Sequence, residues 1–204
     1  MTSGPAETPE ADDAAWVVIP TPFDSPALSK LVSDPQTLFR LNPKLDIREW
    51  AHLGEDRWEV SWLNHSNGKS YAGTIRITDQ APGWLVAYES GLKSSTRLQI
   101  EPGEDGHAQL RLTDDYSGLP VAERHSRLDE VDRSLQAWGE GISGYLKAWR
   151  RWSWLPPARW FLGRVWLSMR PAARRITRWI FWITLAELAV FLLLLAILVV
   201  EQQN

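Results

Sequence analysis

The feature that most constrains this chain is a long, predominantly apolar run near its carboxyl end, residues 179–200. As an α-helix these 22 residues would be about 33 Å long, which is enough to cross a hydrocarbon core of about 30 Å. Fifteen of them are Leu, Ile, Val or Phe. Their summed preference for the bilayer, on the order of 7 kcal/mol, exceeds the roughly 3 kcal/mol cost of Glu187. The sequence therefore predicts one transmembrane helix, with everything before it on one side of the membrane as the cargo of a carboxyl-terminal anchor.

The charges beside this run predict its orientation. Residues 149–178 contain eight Arg and no Asp or Glu, whereas the tail, residues 201–204, contains no Lys or Arg. The positive-inside rule then places the amino-terminal bulk in the cytoplasm and the tail outside, in an inner (cytoplasmic-type) membrane. Glu187 would lie within the hydrocarbon, so we expect it either to face another transmembrane helix or to be protonated.

A collar rich in Arg and Trp, residues 154–178, precedes the apolar run. Pro156 and Pro157 can begin a helix there, and the mixture of Trp and Arg is typical of a helix that lies among lipid headgroups. A simple hydrophilic spacer is the alternative. The residues expected at the membrane interface are Arg159, Trp160, Arg164, Trp166, Arg170, Arg174, Arg175, Arg178, Trp179 and Trp182.

The rest of the chain is acidic and has the size of one domain. Residues 1–148 have 14 basic and 23 acidic side chains, and this negative charge argues against electrostatic binding of nucleic acid. The arginines of the collar instead favour the lipid bilayer as a partner, through its anionic headgroups. The chain has no Cys, so disulfides and thiolate chemistry are excluded. Residues 1–13 have the composition of a disordered lead and lack the features of a secretory signal. The predicted folded domain is 14–153.

The hydrophobic period within that domain outlines an α+β arrangement. A short strand at 14–19 is followed by two short helices with start signals at Asp24 and Asp34. From Leu45 to Tyr116 the period is two and the connections are short, which predicts an antiparallel meander. The predicted strands of this meander are 45–53, 56–64, 69–78, 84–90, 94–101 and 107–116.

A long amphipathic helix is predicted from about Glu123 to Trp152. Large apolar residues recur there at spacings of three and four, which is the period of one helix face: Leu128, Val131, Leu135, Trp138, Ile142, Tyr145 and Trp149. A second stripe consists of small residues. Because each Gly costs a helix about 1 kcal/mol relative to Ala, this stripe indicates either close approach of a neighbouring backbone or room for a ligand. Its members are Ala137, Gly141, Gly144 and Ala148.

This order of elements resembles the START-like superfamily of polyketide cyclases and lipid-transfer proteins. The resemblance spans about 14–152 and includes WVVIPTPFDSPALSKLVSDPQTLFRLNP at 16–43, with the short motifs VSDP at 32–35 and NP at 42–43. It implies a helix-grip fold, in which a curved antiparallel sheet surrounds a long carboxyl-terminal helix and encloses a hydrophobic cavity. Members bind lipids, sterols, quinones or polyketides, and a minority are enzymes without a shared catalytic set. The collar and the apolar run fall outside the resemblance.

Alternating strand residues and the apolar face of the long helix are expected to line such a cavity. In the strand at 84–90 both faces are apolar, so the pattern does not decide which of them points inward. The same side chains would equally form an ordinary core. The predicted ligand-binding residues are Trp58, Val60, Trp62, Tyr71, Leu98, Ile100, Leu110, Leu112, Trp138 and Ile142.

Asp114 is the sharpest polar candidate. It falls on an otherwise apolar strand face, where a carboxylate must find a donor or shift its pKa, as a catalytic acid or base would. Tyr116 lies on the same face. Alternatively, Asp114 lies at a solvated rim or pairs with an Arg. The four His residues, at 52, 65, 107 and 125, form no ligand pattern, so neither a metal site nor a cofactor is predicted.

Three functions are consistent with these features. The first is binding or transfer of a lipid, quinone or isoprenoid-like molecule by a membrane-tethered START-like domain. The second is a cyclase or aromatase that acts on a membrane-associated polyketide-like substrate, with Asp114 or Tyr116 as acid or base. The third is a membrane-anchored assembly factor without a ligand, with Glu187 contacting another transmembrane helix.

Overall fold

The computed structural model describes residues 14–118, 120–127 and 131–203. The chain divides into two compact units, 1–168 and 169–204, and we call the described part of the first unit the head. The predicted disordered lead, residues 1–13, and Leu128 of the predicted helix stripe lie outside the described residues.

The head contains one sheet of seven antiparallel strands in the order β1-β7-β6-β5-β4-β3-β2. Six strands form the predicted meander, and β1 pairs with β7, with Val17 opposite Leu112. The strands are β1 Ala14–Pro20, β2 Leu45–Gly54, β3 Arg57–Asn64, β4 Lys69–Asp79, β5 Gly83–Tyr88, β6 Ser95–Pro102 and β7 Ala108–Asp115.

Helices lie before and after the meander. The side chains of Asp24 and Asp34 accept backbone N–H groups in the first turns of the two short helices after β1, as their start signals predict. The α-helices in the described part of the head are α1 Ser25–Val32, α2 Pro35–Arg40, α3 Val121–Ser126, α4 Leu135–Trp152 and α5 Pro156–Trp160, and a π-helical turn, Phe161–Trp166, follows α5.

The prediction of one helix from Glu123 to Trp152 is wrong. The structure has two helices there, and α4 begins only at Leu135. Asp132 explains the later start, because its carboxylate accepts the backbone N–H of Ser134 at 2.8 Å and also binds Lys93. A side chain that bonds to its neighbouring backbone offers an alternative to helical hydrogen bonds.

The core lies where α2 and α4 meet the sheet. Trp138 of α4 is 1% exposed, and its indole N–H donates to the Leu38 carbonyl oxygen at 2.7 Å. The sequence pattern did not decide which face of β5 points into the core, and the structure does. Trp84 and Val86 are buried, and the Trp84 indole donates to the Val32 carbonyl at 3.0 Å.

Two glycines of α4 have opposite surroundings. A Cβ on Gly141 would collide with the carbonyl oxygen of Leu41, so this Gly allows close approach of a backbone, one of the two predicted explanations. A Cβ on Gly144 would meet nothing within 4 Å.

We therefore expect opposite effects from one substitution at these two sites. Gly141→Ala should lower the free energy of unfolding by about 1–3 kcal/mol, because backbone must shift. Gly144→Ala should raise it by about 0.5–1 kcal/mol through helix propensity. Urea unfolding of the full chain in detergent measures both, and equal effects would contradict this packing.

These features confirm the START-like helix-grip fold class: a strand, two short helices, an antiparallel meander and a packed carboxyl-terminal helix. The second unit is described by itself. It contains α6, Pro171–Gln203, a single helix of 33 residues. Its apolar window has a mean hydropathy of 2.9 and is not buried within the chain. By length and composition α6 could cross a membrane, and it includes the predicted span 179–200.

Candidate functional site

A cavity of about 110 Å³ lies between the sheet, α2 and α4. Exposed residues of β4 and of the loop after β5 surround its mouth, among them Ser70, Ser90 and Gly91. Its apolar wall consists mainly of aromatic rings, contributed by Phe39, Trp62, Tyr71, Tyr88 and Trp138.

These rings pack on one another and take up most of the interior. The Phe39 ring lies 4.7 Å from that of Trp138, and Trp62 stacks on Tyr71 at 4.8 Å, both measured between ring centroids. Tyr88 meets Tyr71 edge-on at 5.7 Å. The space that remains has the size of one small ring rather than of a whole lipid.

The opposite wall is ionic and carries Lys93 and Asp132. The Lys93 ammonium lies 2.6 Å from Asp114 Oδ2 and 2.9 Å from Asp132 Oδ2. The side chains of Lys93, Asp114 and Asp132 are only 15%, 1% and 10% exposed. One buried cation is therefore shared by two carboxylates, and we call these three residues the ionic cluster.

Hydrogen bonds fix both carboxylates of the ionic cluster. The Thr96 hydroxyl donates to Asp114 Oδ1 at 2.6 Å and lies 2.9 Å from the Tyr88 hydroxyl. On the other side, Ser134 donates its backbone N–H to Asp132 and accepts from the amide of Asn42 at 2.7 Å. This network links β5, β6 and β7 to the segment before α4.

The ionic cluster shifts the acidity of its members in different directions. Burial raises the pKa of Asp114, although the Lys93 ammonium opposes this effect. Burial alone would also raise the pKa of Asp132, but Lys93 and hydrogen bonds from Ser134 and Asn64 hold it below the usual range. Burial favours the neutral amine of Lys93, yet the two carboxylates hold its pKa well above the ordinary value. Lys93 is therefore a cation at neutral pH.

Tyr116 also lines the cavity, and its hydroxyl lies near the ionic cluster. Its Oη is buried beside the backbone of Asp132 and has no hydrogen bond of good geometry to the described residues. Burial raises the pKa of Tyr116, so the group stays a neutral phenol. Its contact with the Asp132 backbone is a poor hydrogen bond, so a better-placed polar atom would stabilise this hydroxyl.

The structure brings three of the ten predicted ligand-binding residues to the cavity, Trp62, Tyr71 and Trp138. The others do not line it. Trp58 lies at the edge of the core, where its ring contacts His52 and Trp50. Six are packed in the core: Val60, Leu98, Ile100, Leu110, Leu112 and Ile142.

Of the two predicted acid–base candidates, Tyr116 lines the cavity and Asp114 does not. Asp114 is fully buried, as its inward register implies, but its partner is Lys93 rather than an Arg or solvent. Sequence reasoning missed Lys93 and Asp132. Lys93 lies in the loop between β5 and β6, and Asp132 lies inside the predicted helix, so no periodicity marks either residue. The buried position of Asp114 was the only signal that a cation must be near.

The structure also places the predicted interface residues. In the head, Arg159, Trp160 and Arg164 are exposed, whereas Trp166 packs partly against the core. The remaining ones belong to the second unit, where Trp179 and Trp182 are exposed on α6. Their contact with lipid stays a prediction. The other members in that unit are Arg170, Arg174, Arg175 and Arg178.

Comparison with protein-family models finds no match, and neither does comparison with curated proteins. Solved structures are similar in fold. A START superfamily protein from Mycobacterium smegmatis is 14% identical, with a TM-score of 0.46 over 66% of this chain and 95% of that one. A protein from Thermus thermophilus is 14% identical, with a TM-score of 0.47 over 67% and 97%. A protein from Nitrosomonas europaea is 7% identical, with a TM-score of 0.48 over 70% and 99%.

Proposed function

We propose that this START-like head binds a neutral hydrophobic molecule at the surface of the membrane that α6 spans. The bound part is one ring in size, either a small molecule or the ring-bearing end of a longer quinone or isoprenoid lipid. The observation that carries the proposal is the cavity itself, lined by aromatic side chains together with Lys93, Asp132 and Tyr116.

The volume of the cavity limits what can enter. Sites for drug-sized ligands measure about 300–1,000 Å³, whereas an engineered apolar cavity of about 150 Å³ takes benzene. At about 110 Å³ this cavity matches a single ring with small substituents. The predicted range of lipid ligands is therefore limited to their ring-bearing parts, because a complete acyl chain would require the aromatic wall to rearrange.

The charge of the ionic cluster limits the polar end of the ligand. Lys93 is already paired with Asp114 and Asp132, so the three groups carry one net negative charge when both carboxylates are ionised. A carboxylate or phosphate placed beside them would meet two carboxylates for one ammonium. A neutral hydroxyl or carbonyl avoids that repulsion and can exchange a hydrogen bond with Tyr116.

The membrane part of the proposal rests on composition. We propose that α6 spans an inner (cytoplasmic-type) membrane with the head in the cytoplasm, because the arginines of the collar precede the span and no Lys or Arg follows it. The ligand then reaches the head from the bilayer without crossing water. Glu187, within the span, is proposed to contact another transmembrane helix.

A binding assay in detergent tests whether the cavity prefers a neutral ligand to a negatively charged one. We expect 4-propylphenol to bind the full chain in detergent at least about 10-fold more tightly than 4-propylbenzoate, because only the benzoate adds a charge next to the carboxylates. Tyr116→Phe should weaken the phenol by roughly 5-fold, the value of one net hydrogen bond. Ligand-observed NMR measures both, and equal or tighter binding of the benzoate would contradict the proposal.

The enzyme alternative does not gain from the geometry. Asp114 is held by Lys93 and Thr96 and does not line the cavity, so it has no contact with a molecule bound there. Tyr116 lines the cavity, but burial raises its pKa and keeps it a neutral phenol, which suits a hydrogen bond to a ligand. We therefore propose binding rather than bond chemistry.

A further inference from the structure

A second concave site lies on the head at the end of α4, away from the aromatic cavity. Its lining includes three tryptophans and two arginines, whose side chains come from α4, α5 and the turn between and after them. We call it the Trp/Arg cleft and define it by Trp149, Trp154, Arg159, Trp160, Gly163 and Arg164.

Local helix geometry builds the cleft. After α5 the chain continues through residues 161–166 as a wide helical turn, in which the backbone hydrogen bonds join residues five apart. Arg159 and Arg164 are five apart and line the same cleft. At the base, the missing side chain of Gly163 leaves space in front of the Trp149 ring, whose nearest atom would be 3.7 Å from a Cβ there.

The charges of the cleft are uncompensated. Arg159 and Arg164 are exposed, and neither guanidinium makes an ion pair or hydrogen bond to the residues that the structure describes. The residues from 149 to 178 include no acid that could pair with them. Two guanidinium groups on one concave surface can both donate to the oxygens of one phosphate.

The tryptophans distinguish a lipid from a soluble anion. Trp154 and Trp160 are 73% and 62% exposed, and exposed indoles are typical of the zone between headgroups and hydrocarbon. The apolar helix α6 begins at Pro171, only seven residues after Arg164. A phospholipid offers both a phosphate for the arginines and a glycerol and acyl region for the indoles.

From these contacts we propose that the Trp/Arg cleft binds the headgroup of one anionic phospholipid, with Arg159 and Arg164 on its phosphate and Trp154 and Trp160 against its apolar part. This site is separate from the aromatic cavity and does not depend on the ligand proposed there. It distinguishes anionic from zwitterionic lipid and fixes one face of the head to the headgroup layer.

Native mass spectrometry of the full chain tests this site, with dioleoylphosphatidylglycerol and dioleoylphosphatidylcholine as probes in mixed micelles. We expect the wild type to retain phosphatidylglycerol in preference to phosphatidylcholine. Arg159→Gln and Arg164→Gln should each weaken that retention by roughly 5-fold. The matched control is the double variant Arg150→Gln/Arg151→Gln, which removes two neighbouring charges outside the cleft and should have a smaller effect.

Gly163→Leu distinguishes binding in a shaped cleft from nonspecific attraction between arginines and anionic lipid. The substitution fills the space in front of Trp149 and leaves every charge in place. We expect it to lose phosphatidylglycerol as the Arg variants do, with an unchanged melting temperature. Retention equal to wild type in this variant would overturn the proposal, as would equal losses in the control pair. Displacement by millimolar inorganic phosphate would overturn the lipid assignment.

Discussion

Lys93→Met is expected to lower the free energy of unfolding of the head by about 3–5 kcal/mol. The substitution removes the only cation of the ionic cluster and leaves Asp114 and Asp132 buried together, with side chains 1% and 10% exposed. Two desolvated carboxylates without a counter-ion repel each other and have lost the water that would stabilise them. Because a domain of this size is stable by only about 5–15 kcal/mol, a large fraction of its stability depends on this one ammonium.

The control for Lys93→Met is Lys147→Met, which removes an exposed Lys from α4 and should change stability by no more than about 0.5 kcal/mol. The triple variant Lys93→Met/Asp114→Asn/Asp132→Asn removes the uncompensated charges and should recover part of the loss. Chemical unfolding followed by circular dichroism measures all three. A Lys93→Met effect as small as that of Lys147→Met would show that the ionic cluster does not form.

Removal of residues 169–204 should make the protein extractable from the membrane by alkaline carbonate. The truncation deletes the whole second unit and leaves the first, which is compact by itself. The apolar residues of 179–200 favour insertion by on the order of 7 kcal/mol, against about 3 kcal/mol for Glu187, so α6 outweighs every peripheral contact of the collar.

Alkaline carbonate extraction of membranes measures this change, since it releases peripheral proteins and leaves spanning ones behind. The full chain should stay in the pellet, and Glu187→Leu, which makes the span more apolar, should stay there as well. Release of the full chain by carbonate would contradict a membrane-spanning α6, and a truncated chain that still resists extraction would place the anchor in the head.

Much of the fold could be predicted because its signals are local. The alternation of β3 and β4 and the turn residues between them gave strands whose ends differ from the structure by at most about one residue. The Asp24 and Asp34 start signals likewise describe contacts with N–H groups only two or three residues away. The start of α4 was predicted wrongly because the helical spacing of apolar residues continues back through Val131. The helix nevertheless begins only at Leu135, since the Asp132 side chain hydrogen-bonds the backbone N–H of Ser134.

The site was less predictable because its contacts join residues far apart in the chain. Lys93 and Asp132 are separated by 39 residues, and nothing near either position indicates the other. The alternation of residues along β7 predicts that Asp114 points inward, but it does not predict that Lys93 is the cation that pairs with it. The free volume depends on how Phe39, Trp62 and Trp138 orient their rings, which a pattern of hydrophobic positions does not specify.

The most direct test of the central claim is organic extraction and mass spectrometry of the full chain purified from its own membranes, in three forms. Ser90→Trp places a large ring at the mouth of the cavity beside Tyr71, and Ala72→Trp adds the same ring at an exposed site of β4 on the face opposite Tyr71. We predict that wild type and Ala72→Trp carry one neutral ring-bearing molecule in stoichiometric amount, and that Ser90→Trp carries none. An empty wild type, or a molecule retained equally by Ser90→Trp, would contradict the account.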